Sequence, residues 1–274
     1  MKILIAADME GITGVTHWDQ VNPDHAEYAR FRKLMTGDVN AAVRGAFAGG
    51  ADTVTVTDGH FNGRNILIEE LDPRASLNSG SPAPLSMVQG VDDHVNGVML
   101  IGYHGRMGTV NAILDHTWSD ERVSGVWIND RPFGEAGLNG AVCGHFDVPV
   151  IMASGDQTLC AEVQEFFGDK VETAQVKKAV SRMSAECLPP TVTASLIEEV
   201  ARRSVLNLKS RKAPKPFKVK GPIKLTVEFQ QSDMADRAAL MPGAKRSVDR
   251  RVDYPADDML TIYQAFRTLL ALAR

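Results

Sequence analysis

The chain has 274 residues, 44% hydrophobic and 23% charged, an ordinary globular balance that excludes disorder as the main state and allows a core hiding roughly 70–75% of the unfolded surface. Its 30 basic and 34 acidic residues leave a net charge of −4, which argues against a nucleic-acid partner, because such binders carry a surplus of cations. No run nears the ~20 apolar residues that span a bilayer, and Asp8 ends the first apolar run too early for a signal-peptide core, so no membrane partner is expected.

Short apolar runs alternate with helix-like stretches. Residues 3–7 (ILIAA) read as a buried strand. A helix follows over 27–49, where Phe31, Leu34, Met35, Val39, Ala42, Val43 and Phe47 recur at helical spacing and Gly49-Gly50 stops it. Residues 53–57 (TVTVT) alternate as a strand does. Further strands are expected at 97–103, 123–128 and 148–153. Beyond residue 150 come a helix at 156–168, a strand at 171–177 and a helix at 190–207 opened by Pro189-Pro190. The stretch Lys209–Pro222 holds six basic residues and no acid, and reads as a solvated linker. A strand at 223–229 and a closing helix at 256–273 complete the chain. The expected fold is therefore α/β. A mostly parallel sheet flanked by helices carries a metal site at its strand ends, and a smaller α/β C-terminal part follows. Residues 1–150 form the metal-binding catalytic region, and residues 151–274 complete the same catalytic unit.

The strand ends carry the chemistry. The first strand runs into Asp8-Met9-Glu10-Gly11. In extended backbone, residues two apart point to one face, so Asp8 and Glu10 present paired carboxylates, whose repulsion a divalent cation relieves. TVTVT runs into Asp58-Gly59-His60, where His60 is a candidate ligand and Asp58 a candidate partner that fixes its tautomer. The 97–103 strand ends at His104. The 123–128 strand leads into a turn that delivers Glu135, and His116 lies between these last two segments. A lone acid or histidine after a strand is more often a cap or a structural residue. Repetition at successive strand ends weakens that reading. In an open parallel sheet, ligands bind at the carboxyl edge, where Asp8, Glu10, His60, His104 and Glu135 can converge. Their mixed donors suit zinc, or manganese less securely. Five exceed the three protein ligands usual at one catalytic zinc, whereas two metals sharing a carboxylate use them all.

Other residues carry weaker signals. Cys143 and His145 lie close enough in sequence for a nucleophile pair, but no neighbouring feature activates the thiol. Cys160 and Cys187 read as small apolar residues. The three cysteines form neither a disulfide framework nor a metal spacing, so a reduced, cytoplasmic compartment is expected. His17, His25 and His94 read as structural. The glycines match no nucleotide-binding motif.

Taken together, Asp-Met-Glu-Gly at 8–11, Asp-Gly-His at 58–60, Ser-Met-Val-Gln-Gly-Val-Asp-Asp at 86–93, Gly-Tyr-His at 102–104, Ile-Asn-Asp-Arg-Pro-Phe-Gly-Glu at 128–135 and Leu-Met-Pro-Gly at 240–243 are similar to the D-aminopeptidase family of DppA type. The resemblance runs nearly end to end. It implies a zinc aminopeptidase with two Zn2+ ions per subunit, Asp8 bridging them and Glu10, His60, His104 and Glu135 completing the ligation. It also implies His116 as the catalytic histidine, a short peptide such as D-Ala-D-Ala as substrate, metal-activated water as the nucleophile, and a homodecamer. An L-aminopeptidase or amidase on the same site, a two-metal phosphohydrolase and a non-catalytic peptide-binding protein stand as alternatives.

Overall fold

In the computed structural model, which describes residues 1–274, the run Ile3–Ala7 becomes part of a central strand, β1 (Lys2–Ala7). Its near-continuous hydrophobicity has a simple cause: both of its faces are covered. The elements that follow are α1 (Tyr28–Ala48), β2 (Thr53–Asp58), β3 (Ala75–Asn78), β4 (Gly97–Ile101), β5 (Val123–Ile128), β6 (Arg131–Pro132), α2 (Glu135–His145), β7 (Val150–Asp156), α3 (Gln157–Phe167), β8 (Glu172–Ser181), β9 (Ser184–Cys187), α4 (Pro190–Lys209), β10 (Ile223–Phe229), α5 (Ser232–Ala238), β11 (Lys245–Arg246), β12 (Arg251–Ala256) and α6 (Met259–Leu272).

The larger sheet has the order β3-β2-β1-β4-β7-β8-β9, parallel except for the β8–β9 hairpin. Its winding reverses between β1 and β4, and the crevice at such a reversal is where doubly wound sheets bind ligands. Ile3, Ile5 and Ala7 share one core with Phe31, Met35 and Val39 of α1 and Ile197, Val200 and Val205 of α4. Burying each large side chain there contributes on the order of 1.5–3 kcal/mol. Leu4 and Ala6 point the other way, into a core with α2, α3, α6 and the second sheet. The alternation of β1 thus decides which helix layer each residue meets.

The second sheet is antiparallel, in the order β11-β12-β10-β5-β6. Two expectations change here. The strand at 123–128 forms as β5, but it pairs with β10, not with the ligand-bearing strands. The closing helix starts at Met259 rather than 256, because Arg251–Ala256 is drawn into β12 against β10. Asp258 caps the shortened helix by accepting from the Thr261 amide. Both sheets draw strands from either side of residue 150. No helix is long and apolar enough to cross a membrane.

Candidate metal centre

The turns after β1 and β4 lie against each other. The Gly11 amide donates to the Gly102 carbonyl at 2.8 Å. A Cβ on Gly11 would stand 1.8 Å from the Tyr103 carbonyl oxygen, so only glycine allows this approach. Gly102 has φ +74°, and a Cβ there would stand 2.4 Å from the Asp8 carbonyl oxygen. These two glycines bring Asp8 and His104 together across the reversal point, with His104 Nε2 3.4 Å from Asp8 Oδ2. The other oxygen, Asp8 Oδ1, lies 3.3 Å from His60 Nδ1, which is also 3.2 Å from Glu10 Oε2.

His60 is oriented by a different group from the one the sequence pointed to. Asp58 accepts from the Asn65 amide at 2.6 Å, the Ile66 amide at 2.8 Å and Asn65 Nδ2 at 2.8 Å. It closes the loop after β2, and these contacts occupy it. The tautomer of His60 is set instead by the Val21 carbonyl, which accepts from Nε2 at 2.8 Å. Nδ1 is left facing the two carboxylates. Val21 is far from His60 in sequence, and no local pattern signals the contact.

Glu135 also arrives by another route. It is the first residue of α2, not a residue of a turn off the main sheet. The amide dipoles at a helix N-terminus favour a carboxylate there, and the Trp118 amide donates to Oε1 at 2.7 Å. His104 Nε2 stands 3.2 Å from the same oxygen.

His116 sits on a loop fastened at several points. Asp115 accepts from the Gly108 amide at 2.6 Å and from Arg182 Nε at 3.0 Å. The Ile113 amide donates to Asp156 at 2.8 Å. Leu114 and Trp118 take positive φ values of 47° and 69°, a conformation the surrounding contacts must hold. The His116 ring stacks on His104 at 4.0 Å and 8°, and Trp18 meets it edge-on at 5.4 Å. The Leu114 carbonyl accepts from Nδ1 at 2.8 Å, and Nε2 lies 3.6 Å from Glu135 Oε1. Trp18, Val21 and Arg182 are contributors that strand-end reasoning did not identify.

All six candidate residues therefore meet in one place and all are buried, His116 being the most open at 8%. Most of them line a cleft of about 910 Å³ whose wall also includes Trp18, Phe61, Trp118, Arg122 and Arg267. The electrostatics are those of carboxylates and imidazoles forced against one another out of water. Burial and the Glu10 charge push the Asp8 carboxyl up. Burial opposes ionisation of Glu10 too, yet His60 and the other two rings hold it well below the usual range. Burial also disfavours charge on Glu135, but His104, His116 and the Trp118 amide lower it. Against the same penalty, Glu10 and Asp8 drive His60 well above its ordinary value, and Glu135 and Asp8 do so for His104. Asp8 Oδ2, Glu10 Oε2 and His104 Nε2 are buried and meet no hydrogen-bond partner in the chain. Leaving such a group unpaired costs about 1–3 kcal/mol, and more when it is charged. Donor atoms of Asp8, Glu10 and His104, and of His104, His116 and Glu135, lie within 4.8 Å of one another in each set. The unpaired atoms and the donor types fit cations.

The weaker candidates separate clearly from this cluster. Cys143 is buried, and burial pushes its thiol up to about 12, while His145 is exposed. No activated pair exists there. Cys160 is buried as expected, but Cys187 is exposed. His17 and His25 face Asp19 at the surface, and His94 lies exposed in a turn. The basic stretch 209–222 is mostly solvated, with Lys218 paired to Asp147.

A doubly wound α/β sheet with buried carboxylates and imidazoles at its reversal point defines a protein built to hold cations beside a cleft. A model of the D-aminopeptidase family, peptidase family M55, matches residues 1–268. The D-aminopeptidase of Bacillus subtilis strain 168 is 36% identical over 277 residues, covering 100% of this chain and 98% of the relative. The solved structure of the Zn-dependent D-aminopeptidase DppA from Bacillus subtilis, a self-compartmentalizing protease, superposes with a TM-score of 0.95 at 36% identity, covering 100% of this chain and 98% of that one. The chain belongs to the D-aminopeptidase family, and its chemistry is peptide-bond hydrolysis.

Proposed function

We propose that this protein is a zinc aminopeptidase holding two zinc ions, and that it removes the N-terminal residue of short peptides containing D-amino acids, D-Ala-D-Ala among them. The observation that carries this reading is the division of Asp8. One of its oxygens faces His60 and the other faces His104, as expected of a carboxylate lying between two cations. Glu10 and His60 would help to hold a cation on the first side, and His104 and Glu135 on the second. When bound, zinc supplies Lewis acidity that acidifies water and polarises the scissile carbonyl.

The protein groups do the rest. His116 moves the proton: with Nδ1 donating to Leu114, the neutral ring carries its lone pair on Nε2, 3.6 Å from Glu135 Oε1, and the residue lines the cleft. Nε2 accepts a proton from the attacking water and returns it to the leaving amine. The stack on His104 and the Trp18 edge hold the ring plane, so little reorganisation is needed at the moment of transfer. Glu135 is kept ionised by the His104 and His116 rings, with the Trp118 amide donating to it as well. A second role for His116 also has an observation behind it. Its donor atom lies within 4.8 Å of those of His104 and Glu135, near enough for it to be a ligand. Metal retention in His116→Ala separates the two roles.

Residues 1–150 and 151–274 act in this reading as one catalytic unit, since Asp156 and Arg182 hold the loop that carries His116. Likeness to a self-compartmentalizing relative supports a homo-oligomer, which we read as a cytoplasmic decamer. The direct test is amino-acid release by zinc-loaded protein from D-Ala-D-Ala, with L-Ala-L-Ala beside it. Release from the D-peptide alone is expected. Release from the L-peptide discards the D-specificity and keeps the peptidase. No release from either, in protein confirmed to hold two metals, discards dipeptides as the substrate class and turns attention to other amides or phosphoesters.

A further inference from the structure

We propose that Lys177 is a positioning residue of the metal centre: its ammonium fixes the turn that follows β1 and thereby sets where the Asp8 and Glu10 carboxylates stand. The inference rests on reading the acid–imidazole cluster as a zinc site, but concerns a residue that is not one of its ligands.

Lys177 is in an unexpected place for its strand. Along β8, Ala174 and Val176 are buried and Gln175 is exposed. Simple alternation would send Lys177 outward with Gln175. A register shift intervenes: Gln175 pairs with Gly155 but Lys177 pairs with Asp156, leaving Val176 as the extra residue. A bulge of this kind re-aims the next side chain, and Lys177 becomes one of the largest fully buried side chains in the molecule. An ammonium in the interior is costly unless each of its three protons is accepted. Here each one is. The Glu10 carbonyl accepts at 2.6 Å, Val15 at 2.7 Å and Ile12 at 3.0 Å.

The three acceptors lie on a single turn. No backbone amide donates to the Glu10 or Val15 carbonyl, and the Ile12 carbonyl has one further donor, the Val15 amide at 3.2 Å. Without the ammonium, these converging carbonyl dipoles would repel and two would be left unpaired. The grip also reaches the site directly, because Glu10 offers its carbonyl to Lys177 and its carboxylate to the cluster. Asp38 of α1 also holds the same turn, accepting from the Thr13 amide at 2.9 Å and from the Thr13 hydroxyl. The turn that carries two of the candidate ligands is thus built around an internal cation supplied by a distant strand.

The test is Lys177→Met, an unbranched side chain with no charge, beside Lys177→Arg, which keeps the charge but whose planar fork cannot meet three converging carbonyls. Metal-stripped proteins are titrated with zinc against a chromophoric chelator, and kcat and KM are measured after reloading. Zinc affinity is expected to weaken roughly 10–100-fold, as for other groups that orient metal ligands, with kcat falling and KM little changed. If Lys177→Met does not fold, Lys177→Arg decides on the same readouts. A folded variant with lowered thermal stability but zinc affinity and kcat equal to wild type would overturn the proposal. A wild-type protein that binds no zinc would instead sink the metal-centre reading, so the two failures are distinguishable.

Discussion

Two groups of buried charge flank the turn from Asp8 to Val15, and they are built in opposite ways. On one side, Lys177 gives each proton to a carbonyl, and Asp38 accepts from the amide and hydroxyl of Thr13. On the other, Asp8 Oδ2, Glu10 Oε2 and His104 Nε2 meet no hydrogen-bond partner in the chain. Both groups are desolvated, so burial does not distinguish them. What differs is whether the chain satisfies its own polar atoms. Where it does, the charge builds the fold. Where it does not, the unpaired atoms are suited to a ligand that brings the missing charge.

This contrast can be broken first at Asp8. Asp8→Ala removes the carboxylate shared by both halves of the cluster, so both zinc ions and all measurable turnover should be lost, as metal analysis after gel filtration would record. Glu10→Ala and His60→Ala should each empty one half. Full zinc and full activity in either variant would contradict the ligand assignment. Next in size is His116→Ala. It should keep its zinc and lose roughly 10²–10⁴-fold in kcat, the usual contribution of a general acid–base group. Loss of metal would make His116 a ligand.

The self-satisfied side predicts a pH effect. Burial raises the Asp38 carboxyl from 3.8 to about 6. Between those values the folded chain binds more protons than the unfolded one, so this group's contribution to stability is full below about pH 4 and lost as pH rises through 6. A shift of this size amounts to on the order of 3 kcal/mol. Asp38→Asn should remove that slope from urea midpoints measured on metal-free protein across this window. An unchanged slope would place its origin elsewhere. The smallest effect is expected at the cysteines. Cys143→Ala should leave turnover unchanged, and iodoacetamide should label Cys187 in the folded protein but not Cys143, in keeping with their exposure. Loss of activity in Cys143→Ala would reopen the thiol as a catalytic group.

What could be read from the sequence follows from the range of the interactions involved. β1, β4 and β7 announce themselves as short apolar runs, and β2 by its alternation. Asp8, Glu10, His60 and His104 are legible because they lie within a few residues of strand ends that share an edge. The 123–128 run has the same look, yet it belongs to the second sheet, because an apolar strand does not encode which partner it will take. Glu135 was identifiable as a residue but not by its route, since a helix start and a turn share their early signals. The Val21 carbonyl on His60 and the Lys177 ammonium beneath Glu10 link residues far apart in the chain. Lys177 also depends on a bulge that breaks the alternation a reader relies on. Side-chain type and local spacing thus identify the candidate ligands, while the groups that orient them are set by tertiary contacts.

The central claim is that the unpaired carboxylates and imidazoles form a zinc centre divided at Asp8. Diffraction from zinc-loaded crystals, with data on both sides of the zinc absorption edge, tests it most directly. The account predicts two anomalous peaks, one among Asp8, Glu10 and His60 and one among Asp8, His104 and Glu135. A single peak, or zinc found only away from Asp8, would contradict it.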